Sequence, residues 1–333
     1  MYDIKQSAAL TTLFAEAINY RADTYIGNTF SKITATGVEP FYTLPQVTPN
    51  YASSRFTTDG EHFYIGYPKP TESTTDAAID WISHIDVLDM EGTLLNSYPV
   101  SEMNGTYISD MKFIGGELYF VHISETIDGA KVQLCNYSNG VKTDLAEVTS
   151  SDYYRGYLID NNGNIMVVIT PSTSDNTVIF NYKNGALSQV TTFLMKSEDA
   201  TYMESLQIGD VIYLGCYGSS FNSGGLVKFN PTTNETELVF SGSAHSLQAY
   251  NESTLQFIHA SLDGSAIHHY TPDDGLSDFL LLSHNISAGR MMGIYIYFIT
   301  HNAEVHQLTL VINNDKTIGR LNSFDDIVHV EAL

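Results

Sequence analysis

Positive charge is scarce in this chain. Lys and Arg together number 15 against 38 Asp and Glu, which leaves a formal net charge of −23. A field of that sign repels phosphate backbones, and no Lys/Arg cluster interrupts it, so a nucleic-acid binder is excluded. Cysteine is scarcer still. Cys135 and Cys216 are the only two and form no CxxC pair, so no disulfide framework follows. The apolar runs are strand-sized, none near the roughly 20 residues a membrane-spanning helix needs, and no membrane insertion is expected. No basic start precedes an apolar run, so no secretion signal is read, and a virion or the cytoplasm is the expected setting. Motifs of covalent and nucleotide chemistry are missing too: there is no Gly-x-Ser-x-Gly elbow, no G-x-G-x-x-G and no phosphate loop. Of the 11 histidines, no pair has the i, i+4 helical spacing of a zinc protease, and His268 and His269 should point to opposite faces of one strand. Neither a metal nor a cofactor is expected. Glu72, Asp76 and Asp80 crowd one long loop, but without the ligand frame of a calcium site.

What the chain does have is 22 Tyr, 16 Phe and 24 Gly with only 16% charged residues, a mixture that suits strands and tight turns. A turn followed by an apolar strand recurs. It appears at Asp59-Gly60-Glu61, Gly115-Gly116-Glu117, Asn162-Gly163-Asn164 and Ile208-Gly209-Asp210, and more weakly at Glu252-Ser253-Thr254 and Met292-Gly293. Anchors at positions 60, 116, 163, 209, 253 and 293 are spaced by 56, 47, 46, 44 and 40 residues. A second landmark, a hairpin turn, follows each anchor by about 20 to 30 residues, as at Asn139-Gly140 and Asn184-Gly185. Asn-Gly is a strong hairpin signal because both central residues need positive φ. Each unit then holds four strands, and a period of 40–50 residues with four strands is the signature of a propeller.

The repeat resembles the six-bladed β-propeller architecture, with four-stranded antiparallel blades over residues 51–333. A single tryptophan, Trp81, leaves the WD and YWTD repeat signatures absent. Residues 1–50 read as a preceding segment. Leu10, Leu13, Phe14, Ala17 and Ile18 follow helical spacing and predict a short amphipathic helix, and the Gly- and Pro-punctuated stretch to Asn50 predicts an extended arm or clasp. Leu10, Leu13, Phe14 and Ile18 are therefore candidate assembly residues, docking on the main body or on another protein subunit. Ile327 to Leu333 alternates like one further strand, expected to pair within the first or last blade.

In propellers the loops leading into the innermost strands converge on the channel mouth. Nine residues before the first three anchors stand Tyr51, Tyr107 and Tyr154; Tyr202 and His245 fall within two positions of the same place, and Arg155 lies beside them. These six are the candidate ligand- or partner-binding residues, either sealing blade against blade or forming an aromatic rim. The composition, rich in Tyr, Asn, Ser, Thr and Gly and poor in Lys, is similar to phage tail and other virion proteins that display a propeller. The first expectation is accordingly a non-enzymatic subunit of a larger assembly. The alternative is a propeller hydrolase or lyase acting on a sugar or lactone, for which Asp110, Arg155, Glu204 and His245 are the inner-strand candidates.

Overall fold

The computed structural model describes residues 4–6, 13–21, 24–34, 37–44, 54–70, 81–101, 106–126, 129–138, 140–195, 202–218, 223–261, 264–282, 286–292, 295–300, 304–310 and 316–323. Tyr51, Leu10, the carboxylates Glu72, Asp76 and Asp80 and the strand read at 327–333 lie outside them. The described residues are all-β and contain no helix. Their strands form four-stranded sheets, each an antiparallel meander in chain order. Six of these sheets fall where the repeat arithmetic puts them, at 55–99, 106–150, 153–194, 202–241, 245–282 and 286–323. Such serial four-stranded antiparallel blades make the chain a β-propeller.

Local turn chemistry explains the register. At the third anchor Asn162 and Gly163 adopt φ of 51° and 83°, and at the following hairpin Asn184 and Gly185 adopt 55° and 77°. Two successive left-handed residues match the twist of the flanking strands, and only Asn and Gly enter that region cheaply.

One further sheet precedes the six. Ile4–Gln6, Leu13–Arg21, Thr24–Thr34 and Gly37–Thr43 pair in sequence. The expected N-terminal helix is thus corrected. Leu13, Phe14 and Ile18 sit on an interior strand whose ladder runs from Leu13↔Ile33 to Arg21↔Thr24. Their helical spacing is overruled by pairing with the Thr-, Tyr- and Phe-rich segment that follows, since strand preference depends on neighbours more than on local propensity. The arm read at 24–50 is likewise two of these strands as far as Thr43.

The chain divides into two compact units. One comprises residues 1–104 with 284–333, the other residues 105–283. Within the first, the sheet 4–43 packs on 55–99 through Phe30, Phe41, Leu44, Phe56, Phe63, Ile65, Tyr67 and Leu88. Phe30 meets Phe56 edge-on at 5.4 Å, and Phe56 stacks on Phe63 at 5.2 Å. The outer strands of the sheet 4–43 lie against the sheet 286–323 in the same unit. Within the second unit, a separate apolar core fills each space between consecutive sheets.

Candidate functional site

The site is built on the first strands of the four sheets of the second unit: Thr106–Ile114, Tyr153–Asn161, Tyr202–Ile208 and His245–Ala249. Each of these strands lies beside the next, so the residues that begin them share one end of the unit. Backbone amides tie the strands through side chains. Asp110 accepts from the amide of Leu158 at 2.8 Å and from that of Met111 at 2.9 Å. Lys112 Nζ donates to the Leu158 carbonyl at 2.7 Å and to Ser205 Oγ at 2.8 Å. Asp110, a candidate acid–base residue from the sequence, is therefore occupied on both oxygens by the backbone and holds strand to strand.

At the strand starts the structure assembles five of the six candidate residues. The Tyr107 hydroxyl donates to the Tyr154 carbonyl at 2.7 Å. The Arg155 guanidinium lies over the Tyr154 ring at 4.9 Å and over the Tyr202 ring at 5.8 Å. Two aromatic faces on one guanidinium hold it electrostatically while its positive charge persists at any working pH. Tyr202 pairs across the sheet with Tyr217, and Tyr217 meets the His245 ring edge-on at 5.4 Å. His245 is buried, with Nδ1 at 3.0 Å from Ser246 Oγ. Tyr154, at 38%, is the most open of the group. A path therefore runs from the exposed Tyr154 through Arg155, Tyr202 and Tyr217 to His245.

Two members were not among the sequence candidates. Tyr217 could have been found by counting back from the hairpin, because Ile208↔Val211 places it opposite Tyr202. Ser246 carried no sequence signal, and its distinguishing feature is a left-handed φ of 56°.

Two further histidines pack together in the sheet that holds His245. His259 and His268 lie 6.0 Å apart, each against the ring of Phe240. His269, on the opposite face as expected from strand alternation, stacks on Phe279 at 4.3 Å. Burial lowers the pKa of His268, partly offset by Asp278. No described group of three His, Cys, Asp or Glu is arranged to hold a metal ion.

No protein-family profile matches the chain, and no curated protein matches it by sequence. Its fold is shared by solved structures at low identity. A candidate 6-phosphogluconolactonase from Bacteroides uniformis is 14% identical, with TM-score 0.60 over 96% of this chain and 99% of that one. Another, from Bacteroides fragilis, is 11% identical, with TM-score 0.61 over 98% and 99%. The periplasmic gluconolactonase of Pseudomonas aeruginosa is 10% identical, with TM-score 0.62 over 95% and 97%. The expectation of a structural subunit of a phage tail or virion is corrected at this point. Three of the structures that share the fold end to end are described as lactonases, and the helical tether that favoured a structural role is a strand.

Proposed function

We propose that this chain hydrolyses a sugar lactone at the start of the first strands of residues 105–283. One observation carries the reading. A guanidinium flanked by two tyrosine rings stands on strands adjacent to a histidine, at a shared end of the sheets. The fold of the lactonase-described structures supports it.

Opening a lactone requires water to add to the ester carbonyl, negative charge to collect on the carbonyl oxygen, and the ring oxygen to leave with a proton. A neutral imidazole is suited to take the proton from water and return it to the leaving oxygen, and His245 has that role here. Arg155 supplies fixed positive charge where the oxyanion develops, or holds an acidic substituent of the sugar. Tyr154 and Tyr202 offer flat faces for the C–H surface of the sugar ring. In a chain of net charge −23, a local cation is needed for any anionic lactone to dock against the overall field.

Acid release from δ-gluconolactone and from 6-phosphogluconolactone, followed by pH-stat above the spontaneous rate, tests this. The expected result is acceleration of at least one of them. His245→Ala should lower kcat about 100-fold or more, and Arg155→Ala should raise KM and lower kcat. Parent protein that accelerates neither lactone overturns the reading.

A further inference from the structure

The geometry points to Glu204 as the positioning residue of this site: its carboxylate pins the backbone bulge that aims His245. The inference rests on the reading of His245 as the proton-transferring group, and the structural observations are independent of it. The strand His245–Ala249 departs from regular pairing at its start. His245 pairs with Ile258 and Gln248 with Gln256, so Ser246 and Leu247 together face one residue of the neighbouring strand. Within that bulge Ser246 takes a φ of 56°, a region that a residue with a Cβ enters only against steric cost. Buried non-glycine residues stay there when their surroundings hold them.

Two contacts hold this one and a glycine makes room for it, all from the preceding sheet. Glu204 Oε1 accepts from the Leu247 amide at 2.9 Å. The Ala244 amide donates to the Cys216 carbonyl at 3.0 Å. Gly215, the ladder partner of Glu204, leaves room for the bulge to approach. A Cβ there would stand 2.8 Å from the Ala244 carbonyl oxygen and 3.0 Å from the Leu247 side chain. Glu204 and Gly215 thus form a seat: one grips the bulge and the other makes space for it. The bulge in turn places Ser246 Oγ at 3.0 Å from His245 Nδ1, a hydrogen bond that fixes the orientation of the ring. It also sets the edge-on contact of the ring with Tyr217. What Glu204 contributes is reach, an oxygen at the Leu247 amide. Its charge is secondary.

Reach and charge separate under substitution. Glu204→Gln keeps an acceptor oxygen at the same distance and loses the charge. Glu204→Asp keeps the charge and withdraws the oxygen by one methylene. With lactone as substrate, Glu204→Ala and Glu204→Asp should lower kcat about tenfold or more with KM within about twofold, because a displaced ring costs turnover before binding. Glu204→Gln should stay within about threefold of the parent. The imidazole ¹⁵N signals of His245 provide a second readout that needs no activity: Asp and Ala should shift the Nδ1 signal as its bond to Ser246 is lost, and Gln should preserve it. If Gln is as impaired as Ala while Asp is active, the carboxylate acts through charge and the positioning role is overturned. An unchanged His245 pattern in both Ala and Asp overturns it too. Should the parent open no lactone while the ¹⁵N pattern follows reach, Glu204 still positions His245 and only the lactonase reading falls.

Discussion

His122 shows what burial does to a titratable side chain here. It is 1% exposed, in the second strand of its sheet, with Nδ1 at 3.5 Å from Gln133 Oε1. Burial, reinforced by Lys142, lowers its pKa from 6.5 to about 4. Between these values the unfolded chain binds a proton that the folded chain refuses, so stability is full above about pH 6.5 and falls as pH drops toward 4. The gap corresponds to roughly 3 kcal/mol. Asp144 adds in the same direction: against its own partial burial, hydrogen bonds from Lys142 and Cys135 hold it low. His122→Gln should flatten the fall of melting temperature between pH 6.5 and 4.5, and an unaltered slope would refute the assignment. Cys135 and Cys216 are both buried, and burial raises the Cys135 pKa far above the thiol range. Neither should react with a thiol reagent until the protein unfolds.

The blades between residues 55 and 282 grade from a packed interior to an open rim. The second strands are nearly all buried, as in Asn164–Pro171, whereas the fourth strands alternate half-buried and exposed positions, as in Ala186–Leu194. Leu194 and Leu281, on fourth strands, are 76% and 71% exposed. Leu194→Lys with Leu281→Lys should leave the melting temperature nearly unchanged and raise solubility, because charge on an edge strand opposes pairing between molecules. The first strands behave oppositely. A Cβ on Gly156 would stand 2.6 Å from Val121 Cγ1, inside the core between two sheets. Gly156→Ala should therefore cost about 1–3 kcal/mol in denaturant unfolding. Strand positions of this kind were legible from the sequence wherever a Gly or Asn turn marked the hairpin. The first sheet was missed because the sequence between its first two strands, Ser7 to Thr12, contains neither residue, while Leu13, Phe14 and Ile18 happen to repeat at helical spacing.

Placing residues 4–43 in a sheet changes what a truncation should do. Removing residues 1–23 takes away Ile4–Gln6 and Leu13–Arg21, leaving Thr24–Thr34 an edge strand paired only with Gly37–Thr43. That strand carries Phe30, which packs on Phe56 and Phe63, and large buried side chains contribute roughly 1.5–3 kcal/mol each. The truncated protein should melt clearly lower, and a melting temperature equal to the parent's would refute the assignment of a structural strand. The sequence by itself determined the four-strand period, the turns that delimit it, and five residues that meet at one end of the second unit. These follow from local chemistry: positive φ demands Gly or Asn, and alternation demands one buried face. Only the tertiary structure decided that Leu13–Arg21 is a strand, that Asp110 is spent on backbone amides, and that Ser246 lies in a bulge gripped by Glu204. Each of those depends on a partner from a different segment, and no pattern within one segment encodes which partner arrives.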